Sequence, residues 1–105
     1  MCQVLRDVWG FDGYVSSDSG AVADIYGSSP NYHDFTGGDA ALGVAWAIGN
    51  GTDVDSSLSN GHADTGSPYT WYLDEALNRS LITEETVDAA LRNTLRLRFQ
   101  LGQFL

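Results

Sequence analysis

Residues 10–22 read Gly-Phe-Asp-Gly-Tyr-Val-Ser-Ser-Asp-Ser-Gly-Ala-Val, and this stretch decides the fold that the sequence predicts. A glycine that can leave a turn is followed by Tyr14 and Val15, which suit a buried strand, so we expect a strand over 13–18. Asp18 then lies just past the C-terminal end of that strand, where parallel sheets place catalytic and binding groups.

Asp18 has two interpretations at this place in the chain. An aspartate after a strand can be a catalytic carboxylate that faces a substrate. Aspartate is also a favoured N-cap residue, and the small residues after Asp18 indicate the start of a helix. The residues alone leave both interpretations open.

The composition bounds the size of the fold and the classes of partner. With 105 residues the chain is one small domain at most, and it is too short for a complete eight-stranded barrel, which takes about 250 residues. The net charge of −9 and the absence of lysine argue against nucleic acid and against a membrane surface as partners. Cys2 is the single cysteine, so there is no internal disulfide or cysteine-built metal site, and we predict no metal and no cofactor.

No segment of the sequence indicates a particular compartment. Residues 1–20 lack the basic start and apolar middle of a signal peptide, and no run approaches the roughly 20 apolar residues of a membrane span. The localisation therefore stays open.

Hydrophobic spacing and turn residues place the remaining elements. The last helix has the clearest signals, with Thr83 as N-cap, acidic residues in its first turn, arginines in its second half and Gly102 at its end. Two strands with helices between and after them indicate an α/β fold, a partial (β/α) barrel fragment with about two parallel strands and about three to five helices. We expect helices over 1–9, 19–27, 38–49 and 70–79, a second strand at 52–54, and loops over 28–36 and 56–69.

The large apolar residues divide into a predicted core and a face that needs a partner. We assign Trp9 and Trp46 to the core. An i, i+4 stripe on the last helix consists of Val87, Leu91, Leu95 and Phe99. Leu5 and Val8 extend this stripe into an apolar face larger than monomers usually expose, so we predict a homo-oligomer.

Three blocks of sequence together carry a family resemblance. They are Leu-Arg-Asp-Val-Trp-Gly-Phe-Asp-Gly-Tyr-Val-Ser-Ser-Asp at 5–18, Gly-Thr-Asp-Val-Asp at 51–55, and a last block that joins Leu-Ile-Thr-Glu-Glu-Thr-Val-Asp at 81–88 to Leu-Arg-Leu-Arg-Phe-Gln-Leu-Gly-Gln-Phe at 95–104. In this order and spacing they resemble glycoside hydrolase family 3, the β-glucosidases and β-xylosidases. The resemblance implies that 1–105 form a single domain, a truncated segment that corresponds to roughly the last quarter of the family's catalytic (β/α)8 barrel.

The resemblance also implies a role for Asp18. In the family the aspartate at this position attacks the anomeric carbon, so Asp18 is the expected nucleophile of a retaining mechanism on β-linked xylosides or glucosides. Such a mechanism needs a second carboxyl group about 5–5.5 Å away as acid/base. No segment of this chain matches the family's acid/base, and the family's substrate-gripping Lys-His pair is missing.

Asp53 and Glu75 are the candidates for the acid/base, either within one chain or from a neighbouring subunit. Asp53 lies at the end of the second predicted strand, where it could face the same end of the sheet as Asp18. Its more ordinary interpretation is a carboxylate that hydrogen-bonds backbone and fixes the strand's exit. Xylosidase-like members often have cysteines where this chain has Ser19 and Ser56, and the paired change indicates that these positions are close in space.

Tyr26, His33 and Trp71 are the candidates for substrate binding. Aromatic rings can stack on sugars, although they more often pack loops onto a core, and loop histidines are more often solvated. Two functions stay open. One is a glycosidase of β-xylosidase/β-glucosidase type, and the other is a catalytically inactive, self-associating barrel fragment with at most weak sugar binding.

Overall fold

A computed structural model of the protein describes residues 3–27, 30, 32–57 and 66–104. In this part of the chain a π-helical segment at Gln3–Val8 is followed by four α-helices, which we name α1 (Ala21–Asp24), α2 (Ala40–Gly49), α3 (Pro68–Asn78) and α4 (Glu84–Gln100). Residues 28, 29 and 31 of the first predicted loop, and 58–65 of the second, lie outside the described residues.

The predicted α/β fold, a partial (β/α) barrel fragment with two parallel strands, is wrong. The described ranges contain helices and no strand. The two segments expected to be strands, 13–18 and 52–54, pair only through one isolated parallel bridge between Ser16 and Val54. Two short segments without further neighbours cannot extend a ladder, because even a complete two-stranded ribbon is only marginally stable in water.

The starts of α2 and α3 have identifiable causes in the sequence. α2 follows Asp39, whose carboxylate accepts a hydrogen bond from the Leu42 N–H at 3.0 Å. α3 follows Ser67, whose hydroxyl accepts from the Tyr69 N–H at 3.2 Å, and its first residue is a proline. Each cap satisfies a backbone donor that the helix itself leaves unpaired.

The prediction for the last helix is confirmed. α4 begins after Thr83, although the Thr83 side chain makes no cap hydrogen bond, and its first turn carries Glu84 and Glu85. It ends at Gln100, and Gly102 has a φ of 73°, the left-handed conformation that commonly ends a helix.

The core is built around α2, whose buried side chains are small. Tyr69 and Leu73 of α3 contact both of the buried clusters that α2 shares with its neighbours. The first cluster contains Ala41, Ala45, Ile48, Ala76, Ile82 and Ala90, and the second contains Val22, Val44 and Ala47. Alanines at these positions let the helices approach closely, so α2 lies between α1, α3 and α4.

The assignment of Trp9 and Trp46 to the core is wrong. Trp9 and Trp46 are exposed, at 74% and 45% of their surface. Trp46 is exposed because the face of α2 that packs inward is the alanine face. On α4, Val87 packs against the core, but Leu91, Leu95 and Phe99 are exposed. The helical period identifies an apolar stripe correctly but does not show whether another element covers it.

Candidate active site

Asp18 lies on the surface at the end of the segment that the parallel bridge holds. Its side chain is exposed, and its carboxylate accepts a hydrogen bond from the Ser19 N–H at 2.8 Å. The N-cap position of α1 is held by Gly20, which has a φ of 85° and no side-chain cap. The helix-cap interpretation of Asp18 is therefore not what the structure shows, and its carboxylate remains open to solvent.

The backbone just before Asp18 is held by the segment that contains Asp53. The carbonyl of Val15 accepts hydrogen bonds from the N–H groups of Asp53 and Val54, at 2.9 and 3.1 Å. The Ser17 N–H donates to the carbonyl of Val54 at 2.9 Å. These three bonds are the backbone–backbone hydrogen bonds between the described residues of the two predicted strands, and they end one residue before Asp18.

Asp53 joins three separate parts of the chain through its carboxylate. Its Oδ2 pairs with Arg6 at 2.7 Å and accepts from the Val15 N–H at 2.8 Å, and its Oδ1 accepts from the side-chain amide of Asn93 at 3.0 Å. The side chain is only 5% exposed. A buried carboxylate that bonds backbone and an arginine is the arrangement that the structural interpretation of Asp53 expects.

Asp55 is the centre of a hydroxyl network, which we call the Asp55 network (Ser17, Asp55, Ser56, Ser57 and Ser67). Both Ser57 and Ser67 donate their hydroxyls to the Asp55 carboxylate at 2.6 Å, and Ser17 donates at 3.3 Å. Burial by itself raises the pKa of Asp55, but the hydrogen bonds from Ser57 and Ser67 outweigh it and lower the pKa overall. The network links the Asp18 segment to the start of α3.

Ser56 ties the same network to the backbone near Asp18. Its hydroxyl donates to the carbonyl of Ser17, and its N–H donates to the Ser17 hydroxyl at 3.1 Å. Nearby, the Gly20 N–H donates to the hydroxyl of Ser57 at 3.2 Å. The contacts of Ser56 reach Ser17, so a direct Ser19–Ser56 proximity stays a prediction.

Glu75 lies on an exposed part of α3 and is paired with Arg79 at 3.1 Å. Arg79 also forms a two-pronged pair with Asp39, with distances of 2.9 and 2.6 Å. The hydrogen bond from Arg79, assisted by that from the Leu42 N–H, lowers the pKa of Asp39 to about 2. Glu75 is about 12 Å along the axis of α3 from Ser67, at 1.5 Å rise per residue, so it is displaced from the Asp55 network.

Two of the three predicted substrate-binding residues lie in one row of rings, which we call the aromatic row (Tyr26, Tyr72 and Trp71). Tyr72 meets Tyr26 edge-on at 5.8 Å between ring centroids, and it meets Trp71 edge-on at 6.2 Å. Burial, followed by the charges of Tyr72 and Asp55, raises the pKa of Tyr26 to about 12. Tyr26 is half-buried and Trp71 is 44% exposed, so Trp71 is the member that presents more of its ring to solvent.

His33 is exposed in the loop after α1. Its ring stacks on Phe35 at 5.3 Å with an interplanar angle of 13°, and its N–H donates to the carbonyl of Asp24. This backbone bond holds the loop against the end of α1, and Tyr26 follows that end by two residues. The side chain of His33 has no contact with the aromatic row among the interactions of the described residues.

Several residues that organise the site were missed by reasoning from the sequence. Arg6 pairs with Asp53 and also donates to the carbonyl of Gly13 at 2.8 Å. Asn93 comes from the middle of α4, and Ser67 comes from the cap of α3. Arg6 was detectable, since the chain has 5 basic residues and 14 acidic ones and each arginine near an apolar segment is a candidate partner. Nothing in the sequence pairs Asn93 with Asp53.

Curated proteins match nearly the whole chain, and they carry one kind of name. A xylan 1,4-beta-xylosidase of Xylanibacter ruminicola is 35% identical over 101 residues, which are 96% of this chain and 10% of that protein. An exo-1,4-beta-xylosidase of Emericella nidulans is 37% identical over 109 residues, covering 96% of this chain and 12% of that protein. The probable beta-D-xylosidase 6 of Arabidopsis thaliana is 32% identical over 104 residues, covering 99% of this chain and 11% of that protein.

This chain is homologous to part of these β-xylosidases. The similarity points to a glycoside hydrolase and confirms the predicted resemblance to β-xylosidases at that level. The chain spans about a tenth of the length of these relatives, between 10% and 12%. No protein-family model matches the chain, and no solved structure does.

Two further properties of the described residues bear on partners. They contain no group of three or more His, Cys, Asp or Glu side chains that could hold a metal ion. Within the same ranges, no helix combines the length and the hydrophobicity that crossing a bilayer requires.

Proposed function

We propose that this chain carries the nucleophile segment of a retaining β-xylosidase of glycoside hydrolase family 3 type, with Asp18 as the nucleophile. The observation that carries the proposal is the exposed Asp18 carboxylate at the end of a segment held by hydrogen bonds on Val15 and Ser17. The homology to β-xylosidases over 96–99% of the chain supports the same assignment.

In the first step of the proposed reaction, a carboxylate oxygen of Asp18 forms a bond to the anomeric carbon of a β-xyloside. The bond from that carbon to the leaving-group oxygen breaks, and the leaving group takes up a proton from an acid. In the second step water attacks the same carbon, releases Asp18 and returns a proton to the base. The two inversions retain the configuration of the sugar.

Among the groups that this reaction needs, the proton donor has the weakest candidates in this chain. Both oxygens of Asp53 already accept hydrogen bonds, and Glu75 is paired with Arg79 on the exposed side of α3. Glu75 has the more accessible carboxylate, at 53% side-chain exposure. We propose that the acid comes from outside the chain that supplies Asp18, and that Glu75 of a neighbouring copy is the candidate within this sequence.

The proposed substrates are β-linked xylosides in preference to glucosides, because the matching relatives are named β-xylosidases. Tyr26 and Trp71 are the proposed ring-stacking residues, since the aromatic row joins them through Tyr72. His33 is the proposed polar contact from the loop after α1. Replacing Trp71 with alanine should weaken binding of xylosides more than replacing Trp46, a tryptophan of α2 with nearly the same exposure of 45%.

A mechanism-based label tests the assignment of Asp18. The protein is incubated with 2,4-dinitrophenyl 2-deoxy-2-fluoro-β-xyloside and with the corresponding glucoside, and the attached sugar is located by peptide mass spectrometry. We expect one sugar on Asp18, faster with the xyloside, and none on Asp18→Asn. Asp12→Asn is the matched control, because it removes another exposed carboxylate of the same segment. A label on Asp53 or Asp55 would contradict the assignment.

The second candidate function is a catalytically inactive protein with weak sugar binding. The observation that favours it is the absence of a second carboxyl group from the hydrogen-bonding surroundings of Asp18 in the described part of the chain. Under this alternative, no label forms on Asp18 and aryl β-xylosides are not turned over. A xyloside that binds without being cleaved, observed by NMR line broadening, would then identify the remaining function.

We also propose that the chain self-associates through the outer face of α4. Leu91, Leu95 and Phe99 are 52%, 38% and 63% exposed there, and Phe104 continues the face by ring contact with Phe99 at 4.5 Å. They follow one i±4 ridge, the kind that packs against the same ridge of another helix. An apolar ridge of this kind is unusual on the surface of a monomer.

Charge favours a second copy as the occupant of this face. The first half of α4 carries Glu84, Glu85 and Asp88, and the second half carries Arg92, Arg96 and Arg98. An antiparallel pair therefore places each acidic half beside a basic half, and the helix is neutral while the chain carries −9. Sedimentation velocity should show a dimer that Leu95→Glu dissociates and that Val4→Glu, at another exposed apolar position, does not. A monomeric wild type would contradict the proposal.

A further inference from the structure

The buried carboxylate of Asp53 connects more parts of the chain than any role as a proton donor requires. We infer that Asp53 is a positioning residue, which holds the backbone that presents Asp18. This inference rests on the proposed function of Asp18 and assigns Asp53 a different task from the acid/base role that the sequence left open. The assignment follows from what each oxygen of the carboxylate contacts.

Val15 is held by Asp53 through both of its backbone polar groups. The Val15 N–H donates to Oδ2 of Asp53 at 2.8 Å, and the Val15 carbonyl accepts from the Asp53 N–H at 2.9 Å. Asp53 thus holds Val15 by side chain and main chain together, and it fixes the peptide groups on both sides of the Val15 Cα. Val15 is three residues before Asp18, and the Ser17–Val54 bond holds the segment again in between.

Arg6 and Asn93 hold Asp53 from two other directions. The Arg6 guanidinium donates to Oδ2 at 2.7 Å and also to the carbonyl of Gly13 at 2.8 Å. It therefore connects Asp53 to Gly13, which comes shortly before the segment 15–17. The side-chain amide of Asn93 donates to Oδ1 at 3.0 Å from α4. Asp53 therefore fastens the backbone before Asp18 to the N-terminal π-helical segment and to α4.

The same contacts argue against proton transfer by Asp53. Its two oxygens face an arginine, a backbone N–H and a side-chain amide, all of them donors. A general acid must instead present a proton to a leaving-group oxygen within hydrogen-bond reach. A nucleophile, in contrast, depends on placement, because displacement by about 1 Å can cost a hundredfold in rate.

The test compares Asp53→Asn and Asp53→Ala with the wild type. Asparagine keeps one oxygen for the Val15 N–H but loses the charge that Arg6 pairs with, and alanine loses both. Amide hydrogen exchange is measured at Val15 and Ser17, and labelling of Asp18 is measured with the 2-fluoro xyloside. Ile82→Val is the control for general destabilisation, since Ile82 belongs to the core between α2, α3 and α4.

We expect exchange at Val15 to rise by about tenfold or more in Asp53→Ala, beyond the change in global unfolding, and less in Asp53→Asn. The rate constant for labelling Asp18 should fall in the same order, while the concentration of xyloside for half-maximal labelling changes little. Ile82→Val should alter global unfolding without this local effect. A positioning role predicts equal losses for dinitrophenyl and nitrophenyl xylosides.

Three outcomes would overturn the inference. Unchanged exchange at Val15 in Asp53→Ala would show that the carboxylate does not hold the segment. A loss confined to the nitrophenyl xyloside, which needs protonation more, would identify Asp53 as an acid. If exchange at Val15 became rapid while Asp18 was still labelled at the wild-type rate, holding Val15 would not be what places Asp18. If the wild type is not labelled, the proposed function fails, and the exchange measurement still decides whether Asp53 holds the segment.

Discussion

Replacing Asp55 with asparagine tests the Asp55 network most directly. In the protein, Oδ1 accepts from Ser57 and Ser17, and Oδ2 accepts from the Ser67 hydroxyl at 2.6 Å and the Tyr69 N–H at 3.4 Å. An asparagine oxygen can replace Oδ1. Its NH2 group would face the Ser67 hydroxyl, which can turn so that its oxygen accepts a hydrogen bond. It would also face the Tyr69 N–H, which is itself a donor and cannot accept.

The expected loss follows from those contacts. Hydrogen bonds to a charged group contribute about 1.5–3 kcal/mol, against about 1 for neutral pairs. The two short bonds from Ser57 and Ser67 lose their charge assistance, while the Tyr69 N–H keeps the Ser67 hydroxyl as its acceptor, so Asp55→Asn should lower the free energy of unfolding by about 2 kcal/mol. Urea denaturation at pH 7 measures this loss. Asp74→Asn, an exposed carboxylate of α3, is the matched control and should change it by less than about 0.5 kcal/mol.

The loss should also depend on pH with a definite sign. The pKa of Asp55 is lower in the folded protein than its ordinary value, so its charged form stabilises the fold above the unfolded pKa of about 3.9. This contribution disappears as the pH falls through the folded pKa. The difference between wild type and Asp55→Asn should be constant from pH 7 to about 5 and should close below about 4. A difference below about 0.5 kcal/mol at pH 7, or one that grows toward acid, would refute the reasoning.

Three further changes probe the core, the aromatic row and the surface charge. Ile82→Ala should lower the free energy of unfolding by about 2–4 kcal/mol in urea denaturation, because Ile82 is 9% exposed within the main cluster, and a loss below about 1 would contradict its packing. Gly43→Ala should destabilise the protein, since a Cβ there would lie 2.8 Å from the Tyr26 ring; Gly49→Ala, with open space, should be neutral or stabilising by the same measurement. Carboxyl NMR titration should place the pKa of Asp39 at about 2 and show that Arg79→Ala returns it toward its ordinary range; an unchanged value would exclude the pair as the cause.

Local signals in the sequence were sufficient for α2, α3 and α4, whereas the helix expected over 19–27 is only the four residues of α1 and the one expected over 1–9 is a π-helical segment at Gln3–Val8. The acidic start, basic end and terminal glycine of α4 correctly indicate a helix over Glu84–Gln100, because caps and charge preferences act within one or two turns. The spacing of apolar residues likewise indicated α2 and α3, whereas their capping residues Asp39 and Ser67 were identified only in the structure. The homology to β-xylosidases was also visible in the sequence, because it resides in the order of residues along the chain and not in their contacts.

The sequence by itself thus determined the helices α2, α3 and α4, the acidic charge and the kinship with β-xylosidases, while the tertiary structure alone decided strand formation, burial and the contacts of Asp53. A strand needs neighbours to pair with, so residues with strand propensity around Val15 form only one bridge with Val54. Burial depends on which element covers a face, so the stripe on α4 is apolar yet exposed. Asp53 meets Arg6 and Asn93 across 47 and 40 residues, and contacts between such distant positions arise only when the chain has folded.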